Sequence, residues 1–252
     1  MSLKSSIDEK GIAEVVIDNP PVNALDSAGW ESFAALINEL GANPDVRVVV
    51  IRAEGRGFQA GVDIKELAAD SSIITRVNKG CYDTFAAIYD CPVPVIAAVH
   101  GFVIGGGIGI VGSADIILAS EDATFSLPEI DRGALGGASH LYRMFPMQKV
   151  RHMMFTGEAI TAAEAYRLGA LEAVVEGGRL RDEALELAVK IASKSPKAIR
   201  LAKESLNGIE LIELNRSYRF EQGFTLELYT SPDSQEARDA FVDKREARFE
   251  DK

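Results

Sequence analysis

Two glycine-containing segments have the residue types of loops that stabilise negative charge through the main chain. They are Phe58–Lys65, with the sequence FQAGVDIK, and His100–Gly107, with the sequence HGFVIGGG. Each follows an apolar run, and a strand that breaks into small residues before a helix leaves backbone N–H groups unpaired at the helix N-terminus. If the two loops converge, these N–H groups can form an oxyanion hole. Either loop alone is typical of an ordinary turn.

The acidic residue Glu129 follows the two loops and is the best candidate for acid–base chemistry. It lies in the segment Phe125–Ile130, where apolar residues and a proline surround the carboxyl group. Such surroundings favour partial burial, which raises the pKa of a carboxyl group toward values useful for a general base. The alternative is an ordinary surface carboxylate. Asp131 is either a second acid–base group or a solvated neighbour of Arg132. The two loops together with the segment Phe125–Ile130 favour a catalytic site over ordinary turns.

Other kinds of site are poorly supported by the spacing of the residues. Gly107, Gly109 and Gly112 match the dinucleotide-binding pattern, but a new strand begins at Ile116, which leaves no room for the full helix that this site requires. The sequence contains neither a Walker A loop nor a G-x-S-x-G nucleophile elbow. The three histidines and two cysteines lack metal-ligand spacing, so we predict no metal site.

Composition narrows the class of protein and its partners. The 252 residues include 27 basic and 38 acidic side chains, which gives a net charge of −11, and 47% are hydrophobic. These values are typical of a soluble globular enzyme, and the negative charge disfavours binding to nucleic acid. Two cysteines are too few for a disulfide framework, and no apolar run is long enough to span a membrane. We read no signal peptide at the N-terminus. The expectation is a cytoplasmic protein without a membrane or nucleic-acid partner.

Hydrophobic periodicity predicts the elements that position these loops, and it favours an α/β fold. Strands rich in β-branched residues are predicted at residues 11–18, 46–52, 95–99 and 116–119. Helices are predicted after Asp26 and over residues 77–89, 162–168, 180–193, 196–207 and 211–249, the last with a turn at 230–233. Both glycine-containing loops therefore follow buried strands in the first half of the chain.

Five segments in this order resemble the crotonase superfamily, also called the enoyl-CoA hydratase/isomerase family. They are Pro21–Leu25, Phe58–Leu67, Gly101–Gly107, Leu127–Glu129 and Ala240–Arg245. The resemblance implies an α/β spiral of ββα units over residues 1–195 and a helical trimerisation region over residues 196–252. It also implies an acyl-CoA thioester as substrate, a homotrimer or a dimer of trimers, and no cofactor other than the coenzyme A of the substrate.

The same resemblance assigns roles to individual residues. The backbone N–H groups of Val62 and Gly106 correspond to the oxyanion hole, while Ala60, Asp63 and Lys65 correspond to the stretch that lies along the coenzyme A. Lys65 is either a phosphate ligand or a solvated helix residue. Lys244 and Arg245 either reach the coenzyme A of a neighbouring subunit or form a solvated basic face. The C-terminal apolar side chains predict subunit contacts, and they are Leu226, Leu228, Phe241 and Phe249.

One departure from the family pattern bears on the reaction. Hydratases of the family use two glutamates, and the first of these positions is Gly109, which cannot transfer a proton. With Glu129 alone, isomerisation, lyase chemistry and hydrolytic carbon–carbon cleavage through an enolate remain open. Three glycine-rich segments and one segment near the C-terminus resemble the branch that hydrolyses a cyclic β-diketone CoA ester in bacterial steroid catabolism; they are Gly55–Phe58, Gly105–Gly109, Arg132–Gly136 and Ser217–Thr225. The alternatives are a hydratase or isomerase of fatty-acid-type β-oxidation and a non-catalytic CoA-binding homologue.

Overall fold

The computed structural model describes residues 3–210 and 213–248, which form two β-sheets surrounded by helices. The strands are β1 (Leu3–Ile7), β2 (Ile12–Ile17), β3 (Val48–Ala53), β4 (Val95–Val99), β5 (Phe102–Ile104), β6 (Ile116–Ser120), β7 (Thr124–Ser126), β8 (Ile160–Thr161) and β9 (Ala173–Val175). The helices are α1 (Ser27–Ala42), α2 (Ile64–Ala69), α3 (Ile74–Tyr89), α4 (Gly106–Ser113), α5 (Ala138–Met144), α6 (Met147–Thr156), α7 (Ala162–Arg167), α8 (Leu180–Ala192), α9 (Pro196–Ile209), α10 (Leu214–Tyr229) and α11 (Pro232–Asp243).

The chain alternates between the two sheets as it advances. The larger sheet has the strand order β1-β2-β3-β4-β6-β9 and is parallel except for the β1–β2 pair. The smaller sheet has the order β5-β7-β8, so β4 leads into β5 of the second sheet and β6 leads into β7. Repeated return to both sheets, with helices between the turns, is the spiral that the family resemblance predicts.

The larger sheet is covered on both faces, which explains why its strands are continuous apolar runs. All five residues of β4 are buried. One face packs against α1 and α3 in the main core, and the other packs against the small residues Ala184 and Ala188 of α8. The apolar runs predicted as strands at residues 95–99 and 116–119 are confirmed as β4 and β6.

Helix α4 begins where the second glycine-containing loop is predicted to open into a helix, although its glycine-rich sequence has a low helix propensity. Residues Gly107–Ser113 of this helix are all buried, and large side chains pack directly against its glycine Cα atoms. Tertiary packing therefore outweighs the low helix propensity of glycine here. At the other end of the chain, α11 ends at Asp243, so the predicted helix does not extend beyond it through the described residues. Leu211 and Phe249 lie outside the described residues.

The C-terminal helices pack against the core of their own chain. Helix α9 begins directly after Ser195, which caps its N-terminus, and the division of the chain at residue 195 stays a prediction. Lys203 of α9 is buried, and its Nζ donates hydrogen bonds to Asp115 Oδ2 at 2.7 Å and to the Val93 carbonyl at 3.1 Å. Helix α10 packs on α3 and α5. A role of residues 196–252 in oligomerisation stays a prediction. None of the described helices is long and apolar enough to cross a membrane.

Candidate active site

The structure brings the two predicted loops together. Ile104 N donates to the Gln59 carbonyl at 2.9 Å, which joins the second loop to the first. A Cβ atom added to Gly61 would lie 3.3 Å from the Gly106 nitrogen, so the two main chains are in contact at this point. Glycine is required at position 61 because its φ angle is +85°. The two loops therefore converge, as an oxyanion hole formed from both of them requires.

A buried glutamine holds the first loop in shape. Gln59 is fully buried, its Oε1 accepts a hydrogen bond from Gly61 N at 2.7 Å, and its Nε2 donates to the Gly61 carbonyl at 2.7 Å. Both polar ends of the amide are thus satisfied, and the two hydrogen bonds fix the backbone of Gly61, the residue before Val62. Sequence reasoning missed this role of Gln59, although an isolated amide inside the Phe58–Lys65 segment was a usable signal.

The second loop places glycine backbone directly beside the side chains of Glu129 and Trp30. Gly105 has a φ angle of +59°, and a Cβ atom there would lie 2.5 Å from Glu129 Oε1. A Cβ atom on Gly106 would lie 2.6 Å from the ring of Trp30. The absence of side chains at both positions therefore allows the carboxyl group and the indole to approach the main chain at the start of α4.

The predicted oxyanion-hole residues and Glu129 line the same space. Val62, Gly106 and Glu129 all border a cavity of about 80 Å³, which we call the first cavity. Within the described residues, neither the Val62 N–H nor the Gly106 N–H donates a hydrogen bond to another group. Both donors remain available, and a ligand oxygen is the kind of acceptor that they would bind.

Glu129 has the burial expected of a general base. It lies in the 3₁₀ turn Pro128–Arg132, and its Oε2 atom is buried without a hydrogen-bond partner among the described residues. Burial raises the pKa of Glu129 to about 8, with a smaller opposing effect from the charge of Arg132. Because a buried charge is costly without a partner, the carboxyl group of Glu129 is largely neutral near pH 7.

Asp131 lies apart from Glu129 despite the short sequence separation. Its side chain is exposed, and Oδ2 lies 2.6 Å from the position that a Cβ atom would take on Gly157. It borders none of the cavities that Glu129 lines. The structure therefore gives no support to a pair of acid–base carboxylates formed by these two residues.

The three residues predicted to contact coenzyme A occupy different environments around the first loop. Ala60 lines a second cavity of about 60 Å³ that also reaches Glu129. Asp63 caps α2, with its carboxylate accepting a hydrogen bond from Lys65 N at 2.9 Å, so a helix cap already accounts for this acidic residue. The Lys65 side chain is exposed and forms no ion pair within the described part of the chain, which leaves its ammonium group available.

The ring of Phe85 occupies the space beside Gly109. A Cβ atom on Gly109 would lie 2.2 Å from Phe85 Cζ, closer than any real contact allows. Phe85 is held in place by edge contacts with Trp30, at 5.5 Å between ring centroids, and with His140, at 4.8 Å. Position 109 corresponds to the first glutamate of hydratases in the family that this sequence resembles. The space for a side chain there is occupied by the ring of Phe85.

Helices α10 and α11 complete both cavities, and sequence reasoning missed these residues. Tyr218 and Thr225 of α10 line the first cavity, while Arg238 and Phe241 of α11 line the second. Two sequence signals covered part of this set. Residues 217–225 are similar to the ring-opening branch, and Phe241 lies in the family-like segment Ala240–Arg245, where a subunit contact was predicted for it.

Comparisons with known proteins identify the family of this chain. The family model described as enoyl-CoA hydratase/isomerase matches residues 8–252. A (7aS)-7a-methyl-1,5-dioxo-2,3,5,6,7,7a-hexahydro-1H-indene-carboxyl-CoA hydrolase of Rhodococcus jostii is 48% identical over 98% of this chain and 97% of its own. The protein of the same name from Mycobacterium tuberculosis is 49% identical over 97% of this chain and 100% of its own. The crystal structure of an enoyl-CoA hydratase from Mycobacterium avium subsp. paratuberculosis superposes with a TM-score of 0.88, at 27% identity over 99% of this chain and 98% of that chain. The predicted fold class is thus confirmed, and the chain is an enzyme of the enoyl-CoA hydratase/isomerase family.

Proposed function

We propose that this enzyme hydrolyses a carbon–carbon bond of a cyclic β-diketone CoA ester and so opens a ring. The observation that carries the proposal is a single buried carboxyl group, Glu129, beside two free N–H groups, with Phe85 filling the place of a second glutamate. The two relatives that are 48% and 49% identical are named as hydrolases of a bicyclic dioxo CoA ester, which supports the same substrate class for this enzyme.

The reaction that fits these groups is a retro-Claisen cleavage. Ionised Glu129 takes a proton from water as the water oxygen bonds to a ring ketone carbon. The tetrahedral intermediate then collapses to a carboxyl group, the ring carbon–carbon bond breaks, and its electron pair forms an enolate. The N–H groups of Val62 and Gly106 would hydrogen-bond the enolate oxygen, each contributing about 2.7–4 kcal/mol by analogy with known oxyanion holes. Glu129 finally returns its proton to the enolate carbon.

Substrate binding would involve the rest of the first loop and the C-terminal helices. In this proposal the coenzyme A runs past Ala60 and Asp63, and the ammonium group of Lys65 approaches a phosphate. We also propose a homotrimer or a dimer of trimers, since large apolar side chains on α9 and α10 are exposed on the single chain. Leu206, Ile209 and Phe220 are 64%, 71% and 73% exposed, respectively.

Incubation of the purified enzyme with a bicyclic β-diketone CoA ester tests the proposal. We expect a product heavier by one water, and tandem mass spectrometry should locate a new carboxyl group at the opened ring. Glu129→Gln should form this product at least about a hundredfold more slowly, whereas Glu158→Gln, which alters an exposed carboxylate, should leave the rate unchanged.

Other outcomes would contradict the proposal. Rapid hydration of crotonyl-CoA would indicate the hydratase alternative. Migration of the double bond in a longer enoyl-CoA would indicate the isomerase alternative. No conversion of any CoA ester by either the wild type or Glu129→Gln would instead favour a non-catalytic CoA-binding protein.

A further inference from the structure

The second cavity is lined by two arginines that have no role in the proposed mechanism. This cavity lies beside Glu129 and is closed by Arg132 from the core and by Tyr229, Arg238 and Phe241 from α10 and α11. Glu129 thus borders both the first cavity, with the two N–H donors, and the second cavity, with the guanidinium groups. A bound molecule reacting at Glu129 would have these two environments on its two sides.

Arg238 is buried without an acidic partner. It is only 4% exposed, and its hydrogen bonds go to Ser234 Oγ and, at 2.8 Å, to Gln235 Oε1, both within its own helix. Its guanidinium carbon lies 4.4 Å from the centroid of the Tyr229 ring. No ion pair is formed by this side chain within residues 3–210 and 213–248. Burial of a guanidinium group without a counter-charge is unfavourable, and a bound anion would offset that cost.

Arg132, which is partly buried, lies at the other side of the cavity. Its Nε atom is buried and has no hydrogen-bond partner in the described part of the chain. Its guanidinium carbon lies 4.8 Å from the centroid of the Phe241 ring, which restricts the orientation of the planar group. The charge of Arg132 acts on Glu129, yet the two side chains form no ion pair. Two guanidinium groups, each against an aromatic ring and neither in an ion pair among the described residues, therefore border one small cavity.

We propose that Arg132 and Arg238 form a carboxylate-binding subsite for the ring-opened product. The proposal rests on the hydrolytic ring opening proposed above. In that reaction, a neutral ring ketone gains the oxygen of water, loses its bond to the neighbouring carbon and becomes a carboxylate once its proton is released. The planar fork of a guanidinium group matches a carboxylate through paired N–H···O bonds. The same groups would also stabilise the tetrahedral oxyanion that precedes it.

Binding measurements on non-reactive esters test the subsite separately from catalysis. The probes are glutaryl-CoA and adipoyl-CoA, each compared by calorimetry with the neutral ester of equal chain length, pentanoyl-CoA or hexanoyl-CoA. For at least one chain length, the wild type should bind the carboxylate ester about tenfold more tightly, as expected for a charge-assisted hydrogen bond. Arg132→Gln and Arg238→Gln should each remove this preference and leave the affinity for the neutral ester within about twofold.

Matched variants keep the test decisive. Arg216→Gln removes an arginine whose side chain is 85% exposed on α10, and it should retain the full preference. Arg238→Lys should retain part of it. If Arg238→Gln does not fold, as judged by thermal melting, the Arg132→Gln result decides. The subsite is contradicted if the wild type has no preference for the carboxylate or if the preference persists in the folded variants. If the enzyme opens the ring of the β-diketone CoA ester but binds carboxylate and neutral esters equally, only the subsite is contradicted. If it prefers the carboxylate ester but does not open the ring, only the proposed function is contradicted.

Discussion

At the scale of single residues, the packing of Phe85 against Gly109 limits which side chain position 109 can hold. The ring leaves no space for a Cβ atom at position 109, with only 2.2 Å between that atom and Phe85 Cζ. Adding a glutamate there therefore requires removal of the ring as well, and the ring belongs to a cluster with Trp30, His140 and Tyr218. The glycine at position 109 is thus part of how this core is packed.

This packing predicts strong coupling between the two positions. Gly109→Ala should lower the free energy of unfolding by about 1–3 kcal/mol, the usual cost of overpacking. In a Phe85→Leu background the same substitution should cost clearly less, because the smaller side chain can make room. Urea unfolding of the four proteins of this cycle measures the coupling. An equal cost in both backgrounds would mean that the ring does not limit position 109.

The raised pKa of Glu129 predicts how activity and stability change with pH. With a pKa of about 8, the base is ionised only above that value, so kcat/KM should fall about tenfold per pH unit below pH 8. The folded pKa exceeds the ordinary value of 4.5, so this group contributes stability that is fully present below pH 4.5 and lost as pH rises through about 8.

Glu129→Gln separates these two effects. The variant should lose at least about a hundredfold in rate, a typical contribution of a general base. It should also be less sensitive than the wild type to the rise in pH from 4.5 to 8, as measured by urea unfolding at several pH values. A variant with the same pH dependence of stability as the wild type would place the raised pKa on another group.

At the scale of elements, the active site depends on the attachment of α10 to α5. Glu221 of α10 accepts hydrogen bonds from Ala138 N at 2.6 Å and from Ser139 N at 3.1 Å, at the start of α5. This carboxylate caps α5 from another helix and satisfies N–H groups that the helix cannot pair internally. The same helix supplies Tyr218 and Thr225 to the first cavity, so the cap also positions the cavity wall.

Removal of this carboxylate should therefore loosen both helices. Glu221→Ala should destabilise the protein by about 1–3 kcal/mol and speed amide hydrogen exchange most at Ala138 and Ser139. It should also raise KM for the CoA ester more than it lowers kcat. Glu227→Ala, which alters an exposed carboxylate on the same helix, is the control. Unchanged exchange at the start of α5 would show that the cap is not needed.

At the scale of the whole molecule, a buried histidine couples global stability to pH. His140 is fully buried, and neither ring nitrogen has a hydrogen-bond partner within the described residues. It lies between the rings of Phe85, at 4.8 Å, and Tyr218, at 4.7 Å. Burial lowers the pKa of His140 to about 3, with a smaller contribution from the charge of Arg143. The imidazole is therefore neutral in the folded protein at physiological pH.

The lowered pKa predicts a loss of stability in acid. In the unfolded chain His140 is protonated below about pH 6.5, whereas in the folded chain it is protonated only below about pH 3. Stability that is present above pH 6.5 is therefore lost as pH falls from 6.5 toward 3. The slope should be at most about 1.4 kcal/mol per pH unit from this group. His140→Phe should remove this part of the slope, measured by urea unfolding between pH 4 and pH 7. An unchanged slope would assign acid sensitivity to other groups.

The sequence by itself determined the parts of this protein that depend on local pattern. Continuous apolar runs identified β4 and β6, because strands covered on both faces exclude polar residues. The small residues that follow β3 and β4 identified the two loops, since close approach of two backbones requires glycine. The apolar surroundings of Glu129 indicated its burial, and the order of five segments indicated the family. All of these features lie within short stretches of chain.

The tertiary structure alone decided which side chains meet. Glu129 and Asp131 are two residues apart, yet they point to different sides, because a 3₁₀ turn rotates by about 120° per residue. Arg238 is distant from Glu129 in sequence and still lines the same cavity, because α11 packs back onto the turn Pro128–Arg132. Phe85 excludes a side chain at Gly109 in the same way. Such contacts depend on how elements pack over long sequence separations, and no local pattern of residues encodes that packing.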